Sequence, residues 1–66
     1  MRLIVNGENV DMPGVTTLLS LLEALHVRGQ RVAVLVNDDV VPPAARATFV
    51  LREGDRVEIL TFAGGG

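Results

Sequence analysis

The residues best suited to chemistry stand at the end of the sequence, where Gly64, Gly65 and Gly66 follow an apolar stretch that runs from Val57 to Ala63. A carboxylate is a poor electrophile, so it reacts only after activation as a mixed anhydride such as an acyl-adenylate. Glycine has no Cβ and adopts whatever backbone conformation a narrow active-site channel imposes. The pattern predicts a terminal carboxylate that another protein activates, and an ordinary frayed chain end is the alternative.

Few other residues could carry out a reaction. His26 is the only histidine, and no Ser, Cys or carboxylate stands at an evident catalytic spacing from it. We interpret it as a surface residue in the last turn of a helix, where it complements the helix dipole. The adjacent Asp38 and Asp39 offer too few ligands for Ca²⁺ and are typical of a turn. We therefore predict no catalytic residue, no metal site and no cofactor bound by the chain itself.

Composition narrows the classes of partner. The 66 residues fit one domain, and they include no Cys for a disulfide framework or a thiolate metal site. Six Arg, no Lys and eight acidic residues give a net charge of −2 without a cationic cluster, so we do not expect nucleic acid as a partner. We find neither a secretory signal pattern nor an apolar run of about 18 residues, and we expect a cytoplasmic protein without a membrane partner.

The elements that must position the tail begin with a hairpin. Alternation predicts a strand over residues 2–6, and Asn6-Gly7 is a strong signal for a tight turn between antiparallel strands. A second strand over residues 9–12 would pair with the first. Pro13-Gly14 then ends the sheet structure.

A helix is predicted next. Thr16 or Thr17 can cap its N-terminus, and the helix is expected to run to about Val27, with Gly29 as the C-terminal cap. Four leucines recur at the spacing of one helical face: Leu18, Leu21, Leu22 and Leu25.

The remaining strands follow the helix. Residues 31–37 are rich in valine, which predicts a strand in the middle of the sheet that is buried on both sides. A short edge strand at 40–41 and a single helical turn within 44–48 come next. Residues 49–51 are expected to form a small core under this connection, and residues 56–61 alternate as the last strand.

This order of elements predicts an α+β fold and excludes a four-helix bundle or a doubly wound sheet. We expect one folded domain over residues 1–61. Residues 62–66 are expected to form a flexible tail that ends in the three glycines.

Segments spread over nearly the whole chain also resemble a known family. They are Leu3-Ile4-Val5-Asn6-Gly7, Thr17-Leu18-Leu19-Ser20-Leu21-Leu22, Val34-Leu35-Val36-Asn37, Val41-Pro42, Leu51-Arg52-Glu53-Gly54-Asp55-Arg56-Val57-Glu58-Ile59 and Phe62-Ala63-Gly64-Gly65-Gly66. In this order they resemble the ThiS family of sulfur carriers in thiamin biosynthesis. The resemblance implies a ubiquitin-like β-grasp fold, with a mixed four- to five-stranded sheet, one main helix packed on one face and a flexible glycine tail. One departure is Ser20, at a place often taken by Glu, which predicts that the reciprocal capping box is missing.

The resemblance also implies a reaction cycle. A ThiF-type adenylating enzyme uses ATP and Mg²⁺ to convert the last glycine to an acyl-adenylate, and a cysteine desulfurase system supplies the sulfur of a thiocarboxylate. A ThiG-type thiazole synthase then receives that sulfur. By this resemblance Gly66 would carry the sulfur, Gly65 would fit the channel and Gly64 would add reach. The chain would be a protein cosubstrate rather than an enzyme.

Strand alternation further predicts a docking surface. It places one set of apolar residues against the helix: Leu3, Val5, Val57 and Ile59. Ile4, Leu60 and Phe62 then lie on the opposite face of the sheet, which a single helix leaves uncovered. We expect these three residues to contact a partner, although single exposed apolar residues are also common on protein surfaces.

Other functions remain open at this stage. A carrier for molybdopterin synthesis or tRNA thiolation would have the same fold, because fold alone does not select the pathway. A noncatalytic ubiquitin-like binding module with an inert tail is the alternative from another class.

Overall fold

A computed structural model describes residues 1–27 and 31–62 of the chain. The described elements are β1 (Arg2–Val5), β2 (Glu8–Asp11), α1 (Leu18–Ala24), β3 (Val32–Val36), β4 (Asp39–Val40), a 3₁₀ turn (Pro43–Ala45) and β5 (Arg56–Thr61). The predicted order of elements is therefore confirmed. The predicted helix cap at Gly29 and the tail glycines Gly64, Gly65 and Gly66 lie outside the described residues.

The five strands form one mixed sheet in the order β2-β1-β5-β3-β4. The strand β5 lies parallel to β1, with Val5 opposite Val57, and antiparallel to β3, with Val34 opposite Ile59. The prediction that residues 31–37 form the middle strand is wrong by one position, because β5 takes the centre and β3 lies beside it. The last strand of the domain thus joins two hairpins into one sheet.

In both hairpins the first residue of the turn is an asparagine with a left-handed backbone conformation. Asn6 and Gly7 have φ values of 50° and 83°, and Asn37 and Asp38 have φ values of 50° and 72°. Two consecutive positive φ values match the twist of antiparallel strands joined by a two-residue loop. Each asparagine side chain also reaches β5: Asn6 Oδ1 accepts from the Ile59 N–H (2.8 Å), and Asn37 Oδ1 accepts from the Arg56 N–H (3.0 Å).

The helix begins with a complete capping box, contrary to the prediction from Ser20. Thr17 is the N-cap, and its Oγ1 accepts from the Ser20 N–H at 3.1 Å. The Ser20 hydroxyl replaces the expected Glu, because its Oγ accepts from the N–H of Thr17 (2.9 Å) and of Thr16 (3.1 Å). The shorter side chain therefore satisfies the backbone donors that a glutamate would reach.

Replacing Ser20 by Ala is expected to lower the free energy of unfolding by about 1 kcal/mol, because the backbone N–H groups of Thr16 and Thr17 lose their acceptor. Urea unfolding of the two proteins measures this difference. Thr48→Ala is the control, since the Thr48 hydroxyl is exposed and donates one bond of 3.3 Å. An effect of Ser20→Ala no larger than that of the control would contradict the role of the capping box.

The helix ends earlier than predicted, at Ala24 rather than near Val27. His26 follows the C-cap Leu25 in a left-handed conformation, with φ of 59°. The His26 N–H donates to Glu23 O (3.0 Å) and the Val27 N–H donates to Leu22 O (2.9 Å), which is the Schellman arrangement. His26 is exposed, as expected, but it lies outside the helix instead of in its last turn.

His26 occupies a conformation that glycine adopts at less cost. His26→Gly is therefore expected to raise the free energy of unfolding by about 0.5 kcal/mol, because the relief of backbone strain exceeds the extra entropy of the unfolded chain. Thermal unfolding measures the change. His26→Ala is the matched control, since it removes the imidazole but keeps a Cβ. An equal gain from both substitutions would place the strain in the side chain and contradict the backbone explanation.

The hydrophobic core lies between α1 and one face of the sheet. Leu18, Leu21 and Leu22 of the helix are buried against the sheet residues Leu3, Val34, Val36 and Val57. Two predictions of burial are wrong. Val50 is 64% exposed, so only Leu51 of residues 49–51 is fully buried, and Ala33 and Leu35 of β3 are half-buried because they point away from the helix.

Candidate functional site

The candidate site is the face of the sheet that α1 does not cover, which we call the open face. Alternation along β5 assigns Val57, Ile59 and Thr61 to the helix side and assigns Glu58 and Leu60 to the open face.

None of the helices within residues 1–27 and 31–62 has the length and apolar character needed to cross a membrane. The described ranges also hold no group of three or more His, Cys, Asp or Glu placed to bind a metal ion.

An apolar patch occupies the end of the open face from which the tail departs. Leu60 is 49% exposed and lies opposite Ala33 of β3, while Leu35 lies opposite Val40 of β4. Phe62, just beyond β5, is 60% exposed, and its N–H donates to Arg31 O at 3.0 Å, which continues the sheet ladder. We define the apolar patch as five residues: Ala33, Leu35, Val40, Leu60 and Phe62.

The structure brings together only two of the three residues predicted for docking. Leu60 and Phe62 lie two residues apart at the tail end of β5. Ile4 belongs to the same face but pairs with Arg56. That position is four residues from Leu60 along the strand, a distance of about 13 Å. Ile4 is half-buried, and its exposed part lines the groove in the other half of the open face.

Three residues of the apolar patch were missed by sequence reasoning. Ala33 and Leu35 were assigned to the core because the whole run of residues 31–37 is apolar, although odd and even positions of a strand point to opposite faces. Val40 is 68% exposed. The sequence predicts it only as part of a short edge strand and does not indicate the face to which it belongs. Alternation groups Ala33 with Leu35 on one face of β3, but both faces of this strand are apolar, so the exposed face follows only from the pairing with β5 and β4.

Charged residues occupy the other half of the open face. A shallow groove there is lined by Ile4, Asn6, Gly7, Arg56, Val57 and Glu58. The Arg56 guanidinium Nη2 lies 3.0 Å from Asp38 Oδ2, and both side chains are largely exposed, which makes this ion pair weak. Glu58 stands between the groove and the apolar patch, because it lines the former and lies opposite Leu35 of the latter.

The described part of the chain ends on this face. The last described residue, Phe62, extends β5, and its N–H donates to Arg31 O. Among the described residues this end of β5 pairs only with β3, because the pairing with β1 lies at Arg56 and Val57. The residue that directly precedes residues 63–66 in the sequence therefore belongs to the apolar patch.

This mixed sheet, with a parallel pairing of its first and last strands and one helix packed across it, defines a ubiquitin-like β-grasp protein. A model of the ThiS family matches residues 3–66. The chain belongs to the ThiS family.

Two kinds of relative illustrate this membership. The chain is similar to the thiamine biosynthesis protein ThiS of Geobacter metallireducens, with 36% identity, complete coverage of both chains and a TM-score of 0.86 to its crystal structure. It is also 38% identical over 66 residues to the thiazole synthase of Paramagnetospirillum magneticum and to that of Magnetococcus marinus. The match covers all of this chain but 20% of each thiazole synthase, so the chain spans about a fifth of the length of these curated relatives.

Proposed function

We propose that this chain is a sulfur carrier whose Gly66 carboxylate is adenylated and then converted to a thiocarboxylate that donates sulfur for thiazole formation. The observation that carries the proposal is the family match, which extends through the three terminal glycines to residue 66. The geometry of the described residues supports it, because the central strand, which precedes those glycines in the sequence, ends at an exposed apolar patch.

In the proposed cycle the chain supplies the carboxylate and its partners supply the catalysis. A ThiF-type enzyme with ATP and Mg²⁺ forms the acyl-adenylate at Gly66 and releases pyrophosphate. A persulfide of the cysteine desulfurase system then attacks the acyl carbon and displaces AMP. A thiol reductant cleaves the S–S bond of the resulting acyl disulfide, which releases the thiocarboxylate and leaves the other sulfur in a mixed disulfide. Gly65 and Gly64 form the part of the tail that enters the active-site channel, because residues without a Cβ fit the narrowest passage. We place this cycle in the cytoplasm.

Thiazole formation is favoured over the other sulfur-requiring pathways by the relatives. Two thiazole synthases contain a segment that is 38% identical to this whole chain. A carrier segment within a synthase polypeptide indicates that the two functions are used together. We therefore propose a ThiG-type thiazole synthase as the acceptor of the sulfur, rather than a molybdopterin synthase or a tRNA-thiolating enzyme.

Intact-mass spectrometry tests the proposal. The full chain is incubated with the ThiF-type enzyme of the same organism, ATP, Mg²⁺, a cysteine desulfurase with cysteine, and a thiol reductant. The expected product is heavier by about 16 Da, from exchange of one oxygen for sulfur at the terminal carboxylate. Omission of ATP should leave the mass unchanged. An unchanged mass in the complete mixture, with the enzymes active on another ThiS protein, would favour the noncatalytic binding module.

A further inference from the structure

Glu58 lies at the centre of the open face, and its carboxylate has no ion pair or hydrogen bond within residues 1–27 and 31–62. Four of the eight acidic residues are engaged within the described part of the chain: Asp11 and Asp38 form ion pairs, Glu53 accepts from the Arg2 N–H, and Asp55 accepts from Arg52 and Asn37. The acids without such a partner in residues 1–27 and 31–62 are Glu8, Glu23, Asp39 and Glu58. Only Glu58 among them belongs to the open face.

Glu58 has apolar neighbours on one side and the groove residues Asn6 and Arg56 on the other. On β3 its direct neighbour is Leu35, and on its own strand Leu60 follows two residues later on the same face. Side chains that are directly opposite in an antiparallel pair have Cβ atoms about 5 Å apart. Arg56 precedes Glu58 by two residues, but its guanidinium is bonded to Asp38.

From this arrangement we propose that Glu58 forms an ion pair with a cationic side chain of the thiazole synthase when that enzyme covers the open face. A partner that covers the apolar patch must also cover Glu58, because Leu35 and Leu60 flank it. Removing a carboxylate from water without a partner is strongly unfavourable. An arginine or lysine of the covering surface would offset this cost, since the nearest cation of the chain itself, Arg56, is bonded to Asp38.

The proposal assigns Glu58 a role in specificity. An enzyme surface that is apolar throughout would bind the apolar patch but would leave Glu58 desolvated and unpaired, so it would be rejected. A surface with one suitably placed cation would be accepted, and its charge would also fix the orientation of the carrier. That orientation determines where the tail enters the enzyme.

Two observations favour the thiazole synthase as the protein that covers the open face. The curated thiazole synthases carry a segment similar to this chain, so the remaining four fifths of each polypeptide are a direct candidate for the surface that covers it. The chain is also acidic overall, with a net charge of −2, which favours a cationic contact over an anionic one. This inference rests on the proposed function, since it takes the thiazole synthase as the sulfur acceptor.

Isothermal titration calorimetry with the purified thiazole synthase of the same organism tests the ion pair. The decisive observation is whether Glu58→Leu weakens or strengthens binding to the synthase. We expect Glu58→Leu to weaken binding by tenfold or more, because the enzyme's cation loses its partner. If the synthase surface that faces Glu58 were apolar, Glu58→Leu would instead strengthen binding, because the leucine would add apolar contact area and no carboxylate would lose its hydration. Glu58→Gln, which keeps the shape of the side chain, is expected to weaken binding about tenfold.

Salt and a matched control complete the design. The affinity of the parent chain should fall as ionic strength rises, and that of Glu58→Gln should fall less steeply. Glu8→Gln is the control, because Glu8 is an exposed, unpaired acid of the same sheet that does not belong to the open face, and we expect its affinity to be unchanged. Far-UV circular dichroism checks that all variants are folded.

The outcomes separate this inference from the proposed function. Unchanged or tighter binding of Glu58→Leu overturns the ion pair, and so does a failure of the parent chain to bind the synthase. Thiocarboxylate formation, followed by mass in the absence of the synthase, reports on the proposed function alone. A chain that gains sulfur normally while Glu58→Leu binds as well as the parent would contradict only the role of Glu58.

Discussion

Deletion of Gly66 is expected to abolish the gain of about 16 Da that the activating enzyme, ATP and a sulfur source produce. The shortened chain still ends in a carboxylate, now on Gly65, but that group stops about 3.3 Å short of the reactive position. A displacement of this size separates the reacting atoms from a near-attack geometry, which requires a distance of about 3–3.5 Å. We therefore expect no detectable adenylate or thiocarboxylate.

Replacement of Gly64 by Ala is the control for this prediction, because deletion of any one of the three consecutive glycines gives the same shortened chain. The substitution keeps the full length of the tail and the terminal Gly65-Gly66 pair that resembles the ending of the family. We expect most of the thiocarboxylate yield to remain, because the two residues nearest the carboxylate still fit the channel. A full yield from the shortened chain would show that a Gly-Gly ending is sufficient and would contradict the role of tail length.

Phe62→Asp is expected to weaken binding to the adenylating enzyme by about a hundredfold, which is typical for loss of a central aromatic contact. Phe62 is 60% exposed and lies just beyond the last strand, where it leads into the tail. The substitution removes the largest side chain of the apolar patch and places a charge beside Leu60. Because the residue lies outside the core, stability should change little, and titration calorimetry measures the loss of affinity directly.

Val50→Asp is the control for the loss of an exposed apolar residue. Val50 is 64% exposed, but it lies beside Thr17 at the start of α1, away from the open face. We expect this variant to bind the adenylating enzyme with unchanged affinity. If Phe62→Asp bound as tightly as the parent, or if Val50→Asp bound as weakly as Phe62→Asp, the open face would not be the docking surface.

Local signals account for most of the fold that could be predicted. The turn at Asn6-Gly7 and the alternation over residues 56–61 each depend on residues close in sequence, and the structure has both as predicted. The resemblance to the ThiS family added the arrangement of these elements in space. The parallel pairing of β1 with β5 joins residues about 50 positions apart, and no local pattern specifies it.

The errors arose where a side chain took an unusual role. Ser20 completes a capping box through its hydroxyl, whereas the sequence pattern names Glu or Gln for that position. His26 ends the helix in a left-handed conformation that is usual for glycine, so the position of Gly29 in the sequence predicts a helix end that is too late. Arg46 is only 4% exposed and donates from Nη2 to Val32 O at 2.9 Å, a buried role that composition does not reveal for an arginine.

Only part of the candidate site follows from the sequence, because alternation between apolar and polar residues is visible in β5 but not in β3. Leu60 and Phe62 were found because β5 alternates between apolar and polar residues. Leu35 was missed because both faces of β3 carry apolar side chains, so a hydrophobic run of this kind hides which residues are exposed. Only the pairing of β3 with β5 shows that Leu35 lies opposite Glu58.

The central place of β5 has a consequence for the order of events during protein synthesis. Before residues 56–61 leave the ribosome, the two hairpins have no strand between them and cannot form a single sheet. The sheet is therefore completed only when β5 has been synthesised. A chain that lacks residues 56–61 cannot form this sheet, so it has no complete open face.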